Sequence, residues 1–562
     1  MQYQGVELPE KEIEVIKKIN DDLRKAPEDP DRISLKRRWN SNYSFRPGFF
    51  VESGHVTKLS IHLGAIHSVN PLERLPENIG ALTHLEFLNI FNNPISSLPS
   101  TIGELKRLRI LKVWKCKLGH LPDELDGLKS LVELDLSDNV LSALPQSLEF
   151  LENLRRLYLD RNNLREIPRK VGALSRLEHL SLTYNDLKQI PGSLGNLAEL
   201  KSLNLSKNRL KAIPEQLTRA RSLENFDLEG NSLRSFPIST HRWTSLQTLN
   251  LKTCDLTEIP ASVFDIPNLE RFDLQNNELS SIADEFGNLT YLKTLKLDDN
   301  RIHGLSERLS ALKRLQTLDL RNNRLTQFSP VICTLTSLRS LYLSGNEISF
   351  LPPCIGNLRN LRALNLSYNR LTEIPPEISA LGALFEFSCS DNQLQFLPPE
   401  FGNLESLNIL NLNNNKLQSV PLEFGNLKNL KILNISNNYI AFPPECFADL
   451  KSLEIANVDL SMYRLRENLD PDIIRDSRRF IEDLWAYCIK LRQWDPNRLV
   501  QRIQKDEGLT HIDREHPQLG MYVDFVLEKC RSLNNQTLSE FKALISERFS
   551  LQVGERGFKI LL

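Results

Sequence analysis

Residues 154–176 read LRRLYLDRNNLREIPRKVGALSR, with leucine at 154, 157, 159 and 164 followed by an Ile-Pro pair and a Val-Gly pair. The same pattern opens again at Leu177, 23 residues later. The opening leucine recurs without a slip at 85, 108, 131, 154, 177, 200, 223, 246, 269, 292, 315, 338, 361, 384, 407, 430 and 453. A period this regular indicates one small unit repeated along the chain, so that each copy contacts its neighbours in sequence.

A period of 20–29 residues with L-x-x-L-x-L-x-x-N/C-x-L defines the leucine-rich repeat. Each copy is expected to place a short strand around its second and third leucines and to bury the leucines against the next copy. An asparagine follows in most copies, and its inward-turned amide is expected to pair with backbone groups that the turning chain leaves open. We therefore predict an α/β fold: a leucine-rich-repeat solenoid of about 17 repeats over residues 56–461, a horseshoe with a parallel sheet on its concave face.

The convex side is expected to turn at the Leu/Ile-Pro and Ile-Gly pairs. Three consecutive copies have Ala283, Ser306 and Ser329 in place of the proline. Two interpretations stay open for them: neutral drift, or a locally different convex surface that contacts a second partner.

Residues 1–55 are expected to form an N-terminal helix and a capping segment. Ile13, Ile16 and Ile19 recur at helical spacing, which predicts a helix over 8–25. The aromatics Phe45, Phe49 and Phe50 are expected to pack on a degenerate first strand, Val56-x-x-Leu59-x-Ile61, because a solenoid must cover its apolar end. The run 36–39, Lys-Arg-Arg-Trp, is either a solvated turn or a contact for an anion or for nuclear import.

Residues 462–562 lose the repeat pattern and are predicted to form a small C-terminal α-helical domain, with a capping box at Thr537-x-x-Glu540. Motifs for phosphate binding, zinc proteases, zinc fingers and kinases are missing from the whole chain. Cys488 and Cys530 fall on apolar helical stripes, which fits packed thiols better than nucleophiles.

The bulk composition restricts the function classes. Seventy basic and 71 acidic residues give a formal net charge of −1, which argues against nucleic-acid binding. The N-terminal sequence does not have the pattern of a signal peptide, and no apolar run is long enough for a membrane span. The eight cysteines are scattered, and buried free thiols fit a reducing compartment, so we expect a cytoplasmic protein. The oligomeric state is not predicted.

The side chains that alternate with the leucines are expected to face the concave surface. Large aromatics and acids stand out there, and they predict a partner that offers an apolar plug and positive charge. The candidate binding residues are Phe87, Phe91, Trp114, Asp135, Arg156, Tyr158, Asp160, Tyr184, Asp227, Glu229, Asp273 and Asp298. Two alternatives remain: the N-terminal segment covers the aromatics, and the acids only solvate the surface.

The copy from Asn346 through Ile348, Leu351-Pro352 and Ile355-Gly356 to Leu358 resembles those of the intracellular Ras-group leucine-rich-repeat proteins, of eukaryotic cytosolic and of prokaryotic or archaeal type. That resemblance implies a scaffold that holds small GTPases, phosphatases or other signalling proteins. We therefore expect a non-catalytic protein-binding scaffold without cofactors or metals, with a role in intracellular signalling. The alternative is an effector or enzyme whose helical C-terminal domain carries the activity while the repeats select the substrate.

Overall fold

A computed structural model describes residues 2–3, 6–23, 36–37, 48–62, 71–440, 445–457, 551–554 and 557–560 of the 562-residue chain. The chain divides into two compact units, residues 1–300 and 301–562, and each is described by itself. The fold is a leucine-rich-repeat solenoid with an N-terminal helix, as predicted. The helices predicted within 462–550 lie outside the described residues.

The first unit begins with a small cap. Its elements are β1 (Gln2–Tyr3), β2 (Val6–Glu7), α1 (Glu10–Leu23), β3 (Lys36–Arg37) and β4 (Gly48–Glu52). Pro9 precedes α1 and accepts the first backbone hydrogen bonds of the helix through its carbonyl. The apolar face of α1 is buried, which confirms the predicted helix and shortens it by two residues at each end. Strand β4 pairs antiparallel with the first repeat strand, and Phe49 is fully buried there, as the capping prediction requires.

The repeats of the first unit form one run of parallel strands. They are β5 (His55–His62), β6 (Phe87–Phe91), β7 (Ile110–Trp114), β8 (Glu133–Asp135), β9 (Arg156–Tyr158), β10 (His179–Ser181), β11 (Ser202–Asn204), β12 (Asn225–Asp227), β13 (Thr248–Asn250), β14 (Arg271–Asp273) and β15 (Thr294–Lys296). From β6 onward each residue pairs with the residue 23 positions later, for example Phe91 with Trp114. Between β5 and β6 the offset is 29, because Lys58 pairs with Phe87, and this confirms the insertion in the first copy.

Short 3-10 helices return the chain on the other side of each repeat. In the first unit they span Ile79–Ala81, Ser100–Glu104, Asp123–Gly127, Gln146–Phe150, Arg169–Ala173, Gly192–Asn196, Glu215–Arg219, Thr240–Arg242, Ala261–Asp265 and Asp284–Asn288. Most start directly after the predicted proline. Ala283, which replaces that proline, keeps the same extended backbone, with φ −69° and ψ 149°.

The second unit repeats the same architecture. Its parallel strands are β16 (Thr317–Asp319), β17 (Ser340–Tyr342), β18 (Ala363–Asn365), β19 (Glu386–Ser388), β20 (Ile409–Asn411), β21 (Ile432–Asn434) and β22 (Ile455–Asn457). Its 3-10 helices span Glu307–Ala311, Pro330–Thr334, Pro353–Asn357, Pro376–Ala380, Pro399–Asn403, Leu422–Asn426 and Glu445–Asp449. The last described segments, β23 (Leu551–Gly554) and β24 (Gly557–Ile560), form an antiparallel hairpin, whereas the sequence predicted helix for this domain.

The leucines fill the core of each unit. Leu157, Leu159 and Leu164 are all fully buried, and the equivalent positions of neighbouring copies stack on them. Burial of one such side chain contributes roughly 1.5–3 kcal/mol of transfer free energy. Phe226 and Phe272 replace leucine in two copies, and Trp243 fills the adjacent space with its ring edge-on to Phe226.

The asparagine that recurs in most copies of the repeat forms a stacked column, which we call the asparagine ladder. Its members are Asn93, Asn139, Asn162, Asn185, Asn208, Asn231, Asn277, Asn300, Asn323, Asn346, Asn369, Asn392, Asn415 and Asn438, and all are buried. In Asn208, Oδ1 accepts from the Leu187 N–H at 3.0 Å and Nδ2 donates to the Leu182 carbonyl at 2.8 Å. The amide therefore pairs with the backbone of its own and the preceding copy, as predicted.

The residue before each ladder position has a left-handed backbone, which the sequence did not predict. Sixteen copies share this conformation, and only Gly230 and Gly345 are glycines; Tyr184, with φ 53°, is a bulky example. A left-handed residue other than glycine costs about 1–2 kcal/mol. The N–H of Tyr184 donates to the Ser206 carbonyl of the next copy at 3.0 Å, and this recurring bond holds the strained backbone.

The cysteines depart from the expected set of free thiols in one respect. Cys333 and Cys354, on successive 3-10 helices of the second unit, form a disulfide with a Cα–Cα distance of 5.7 Å. Cys116, Cys254 and Cys389 are free, as expected. Within the described segments, no helix combines the length and the apolar character of a bilayer span.

Candidate functional site

The candidate site is the solvent-facing side of the sheet in the first unit. We define the sheet face as the side chains of β6–β15 and of the two residues after each strand that point away from the leucine core. Within a strand the burial alternates as the pleat requires: Arg156 and Tyr158 are partly exposed and Leu157 between them is buried. The sheet face carries seven acidic and six basic residues, a net charge of −1.

Three aromatic side chains, Phe87, Phe91 and Trp114, form the aromatic cluster at the start of the sheet face. The rings of Phe91 and Trp114 are stacked, with centroids 3.9 Å apart and an angle of 26° between the planes. All three side chains are half-buried, so the protein leaves part of each ring in contact with solvent. Two of the predicted binding residues, Phe91 and Trp114, are therefore in direct contact.

Neighbouring polar groups fix this cluster. The Trp114 Nε1 donates to the Asn89 Oδ1 at 3.2 Å, and the buried Asn89 amide in turn donates to the Ser60 hydroxyl at 3.1 Å. The Lys115 ammonium lies 5.6 Å from the centre of the Phe91 ring, within the range of a cation–π contact. The rings are held on two directly paired strands, which limits the entropy that they lose on binding.

A charged triad follows the aromatic cluster. Glu133 accepts from the Lys112 Nζ at 2.5 Å and from the Arg156 Nε at 2.8 Å. Burial raises the pKa of Glu133, but the hydrogen bonds from Lys112 and Arg156 outweigh burial and hold the pKa below its usual value. Burial, together with the charge of Glu133, raises the pKa of the nearby Tyr158. Arg156 was predicted as a binding residue, whereas Glu133, at the equivalent position of the preceding copy, was not.

Several predicted acids also have a structural role. The Asp135, Asp227 and Asp273 carboxylates each accept the backbone N–H two residues later, at 3.0–3.1 Å. Asn204 and Asn250 make the same bond in other copies. This column of Asp and Asn thus caps the strand ends, and one carboxylate oxygen of each acid is engaged within the protein.

The remaining acids differ in exposure. Asp160 accepts from the Ser181 hydroxyl at 2.5 Å and from the Thr183 N–H at 2.7 Å, and burial raises its pKa. Glu229 pairs with Lys207 at 2.9 Å. Asp298 is only 6% exposed, so it offers a partner far less surface than the sequence suggested.

Tyr184 is the most exposed aromatic of the predicted set. It is 46% exposed, and the Arg161 guanidinium lies 4.4 Å from its ring centre. It occupies the left-handed position after β10 and therefore lies at the margin of the sheet face.

A depression of about 320 Å³ crosses β11–β15. Burial raises the pKa of Asp227 at its centre. Asp273 is paired there with Lys296 at 3.3 Å. The polar residues that line the depression are Ser202, Asn204, Asn225, Asp227, Thr248, Asn250, Arg271, Asp273, Thr294 and Lys296. Two acids and two bases line the depression, so its formal charge is zero, and its amide and hydroxyl groups suit a polar segment.

The family comparisons agree with the fold. Residues 55–157 and 102–205 match a model described as a leucine-rich repeat region. Seven overlapping matches between residues 244 and 458 are to a model described as leucine rich repeat. A comparison with curated proteins returned no significant match.

Solved structures give the same result. A leucine-rich-repeat protein of Leptospira interrogans is 34% identical over 68% of this chain and 93% of its own, with a TM-score of 0.58. A TDR receptor is 28% identical over 71% of this chain and 72% of its own, with a TM-score of 0.56. Toll of Drosophila, in its complex with Spätzle, is 25% identical over 62% of this chain and 50% of its own, with a TM-score of 0.54. The chain belongs to the leucine-rich-repeat protein family.

Proposed function

We propose that the sheet face of the first unit binds a protein partner and that the chain works as a non-catalytic scaffold. Leucine-rich-repeat proteins generally act as interaction scaffolds, and their solenoid fold is typically non-catalytic. The observation that carries the proposal is the aromatic cluster: the stacked, partly exposed rings of Phe91 and Trp114 lie on paired strands, the Trp114–Asn89 hydrogen bond fixes Trp114, and Phe87 lies on the same face of β6.

Half-exposed aromatics on a rigid surface have the properties of an interface anchor. They offer a large apolar area that loses little side-chain entropy, and a few such residues carry most of the energy of an average interface. The stacked Phe91 and Trp114 rings suit an apolar side chain of the partner, which would complete the desolvation of the cluster.

The charges of the sheet face supply orientation. Next to the cluster, Asp135 and Asp160 keep partly exposed carboxylates, and further along Asp227 and Asp273 line the depression. The partly exposed Asp135 and Asp160 beside the cluster favour a partner with basic side chains next to its apolar plug. Such complementarity speeds association and selects among partners more than it adds affinity.

The finer assignment rests on sequence resemblance. We assign the protein to the intracellular Ras-group type, place it in the cytoplasm and propose a signalling protein, such as a small GTPase, as its partner. Of the four free thiols among the described residues, three are buried and Cys116 is partly buried, which supports a reducing compartment; burial raises the pKa of Cys116 to about 11 and that of Cys254 to about 12. The Cys333–Cys354 disulfide argues against a reducing compartment. Thiol labelling of the protein from fractionated cells therefore tests its location.

The proposed function is tested by mapping where a captured partner binds. The full chain is used for affinity capture, and hydrogen exchange is then measured with and without the purified partner. We expect the largest protection in peptides from residues 85–160. Protection confined to the second unit, or capture that needs only the C-terminal residues, would contradict the proposal.

A further inference from the structure

Three side chains far apart in sequence meet where the N-terminal cap contacts the first repeat. Glu12 is in the first turn of α1, His55 is the first residue of β5, and His84 precedes β6. One possible ligand atom from each residue lies within 4.8 Å of the other two. From this geometry we propose that Glu12, His55 and His84 form a site for a divalent transition metal, with Zn²⁺ as the best fit.

The carboxylate of this cluster is buried and oriented. Glu12 is 2% exposed, its Oε2 accepts the Val56 N–H at 2.8 Å, and its Oε1 lies 2.7 Å from the His55 Nδ1. A buried carboxylate needs a compensating charge, because an unpaired charge in a low-dielectric site is costly. The Val56 N–H and the His55 ring supply hydrogen bonds to this carboxylate, and a metal ion would add a full positive charge.

The two imidazoles are arranged face to face beside the carboxylate. Their ring centroids are 3.7 Å apart and their planes differ by 16°. The His84 Nδ1 lies 3.3 Å from the Thr83 hydroxyl. Donation from Nδ1–H to that hydroxyl would leave the Nε2 lone pair for a metal, the outer-shell arrangement common in histidine sites.

The environment of His84 is compatible with a metal ligand. Burial, and next the neighbouring His55 and Arg107, hold the pKa of His84 below its usual value, although Glu12 opposes them. A metal binds the neutral imidazole, so this direction agrees with the site that the geometry of the three side chains defines.

The donor set selects the metal. One carboxylate oxygen and two imidazole nitrogens match zinc, which binds such atoms at about 2.0–2.2 Å. Tetrahedral bonds of that length require ligand atoms about 3.4 Å apart, so the stacked rings must tilt and draw in by roughly 1 Å. Both histidine side chains are partly exposed, which gives them room to move and leaves a fourth position open to water.

Such a site would fasten the cap. Its three ligands come from α1, from β5 and from the turn before β6, so a bound ion would connect the helix to two successive repeats. Metal binding to the docked cap alone reduces the open population by a factor of 1 + [metal]/Kd, which is about 100-fold when free metal is 100 times Kd.

The first experiment measures metal binding to the full chain. After treatment with a chelator, the wild type and the variants His84→Ala and His55→Ala are titrated with ZnCl₂ by calorimetry. Co²⁺ absorption then reports the coordination. His120→Ala is the matched control, because His120 is an exposed histidine of the same unit outside the cluster. We expect the wild type and the control to bind one more equivalent than the two cluster variants.

The second experiment measures the opening of the cap. Lys17 and Lys18 on α1 are exposed, so trypsin cleavage between them reports how often the helix undocks. We expect Zn²⁺ to slow cleavage about 100-fold in the wild type and not in His84→Ala. If Zn²⁺ binds the cluster variants as tightly as the wild type, or if wild type does not bind it, the proposed site is refuted. Equal cleavage rates with and without Zn²⁺ would refute the fastening role.

Discussion

The replacement Asn208→Ala removes one member of the asparagine ladder and tests how the repeats are held together. The side chain is 8% exposed and makes four hydrogen bonds to backbone. Three of its acceptors keep a second partner after the replacement: the Leu182 carbonyl bonds to Asn185, the Leu205 carbonyl to Asn231 and the Ser206 carbonyl to the Tyr184 N–H. Among the described residues, the Leu187 N–H has Asn208 Oδ1 as its acceptor, so this group is orphaned.

The expected loss of stability follows from the hydrogen bonds that Asn208→Ala removes. A buried N–H left without an acceptor costs about 1–3 kcal/mol, and the lost packing and weakened carbonyl bonds add about 1 kcal/mol. We therefore predict that Asn208→Ala lowers the free energy of unfolding by about 2–4 kcal/mol. Asn208→Cys keeps a thiol donor, as Cys254 does toward the Leu228 carbonyl at 3.3 Å, and should cost about 1 kcal/mol less.

Urea unfolding followed by circular dichroism measures the stability, and hydrogen exchange with mass spectrometry measures the local effect. Peptides that contain Leu187 should exchange faster in Asn208→Ala, whereas peptides from the second unit should not change. A loss below about 0.5 kcal/mol, or unchanged exchange at Leu187, would refute the assignment of the ladder as the main backbone partner.

Three further predictions concern the first unit. Cys116→Asn should raise the free energy of unfolding by about 1 kcal/mol, measured in urea, because an asparagine here would offer the strong amide acceptor that Asn208 offers to the Leu187 N–H one copy back; no gain would contradict it. Gly195→Ala should destabilise by about 1–3 kcal/mol, because a Cβ there would overlap the backbone of the next turn, whereas the control Gly119→Ala has open space and should be near neutral; equal melting temperatures would count against this. The pKa of folded Glu133 lies below its ordinary 4.5, so its charge stabilises the fold above pH 4.5 and this contribution is lost as the pH falls through the folded value. Between pH 7 and acid pH, the free energy of unfolding should therefore fall less steeply in Glu133→Gln than in the wild type. Parallel curves of unfolding free energy against pH would rule out a stabilising role for the Lys112–Glu133–Arg156 triad.

The repeat could be predicted from sequence because its period is carried by buried side chains. Leucine and asparagine are required wherever copies stack. Their spacing therefore predicted the strands, the asparagine ladder and the position at which each copy begins. The left-handed residue before each ladder position could not be found this way. This residue is Tyr at 184, Thr at 253 and Gly at 230. Its backbone conformation is held by the hydrogen bond that its N–H donates to a carbonyl of the next copy, and it does not depend on the type of side chain.

The candidate site was only partly predictable for a similar reason. Alternation along a strand gives the direction of Phe91 and Trp114, but it does not give the depth at which Asp298 is buried. Nor does it show that one carboxylate oxygen of Asp135 accepts the Ser137 N–H at the end of the strand. The cluster of Glu12, His55 and His84 could not be predicted, because its members come from three separate elements of the chain. Cys333 and Cys354 are 21 residues apart, which is close to one repeat. This spacing places them on adjacent copies and could have predicted their disulfide.

The measurement that tests the central claim most directly is the affinity of the captured partner for an aromatic-cluster variant. The double replacement Phe91→Ser with Trp114→Ser removes the anchor, and Phe150→Ser removes a ring that is 45% exposed on a 3-10 helix, away from the strands. Loss of anchor residues costs at least about 2–4 kcal/mol, so the account predicts a Kd about 30- to 1,000-fold weaker for the double variant, with Phe150→Ser unchanged. A partner that binds the folded double variant as tightly as the wild type would contradict it.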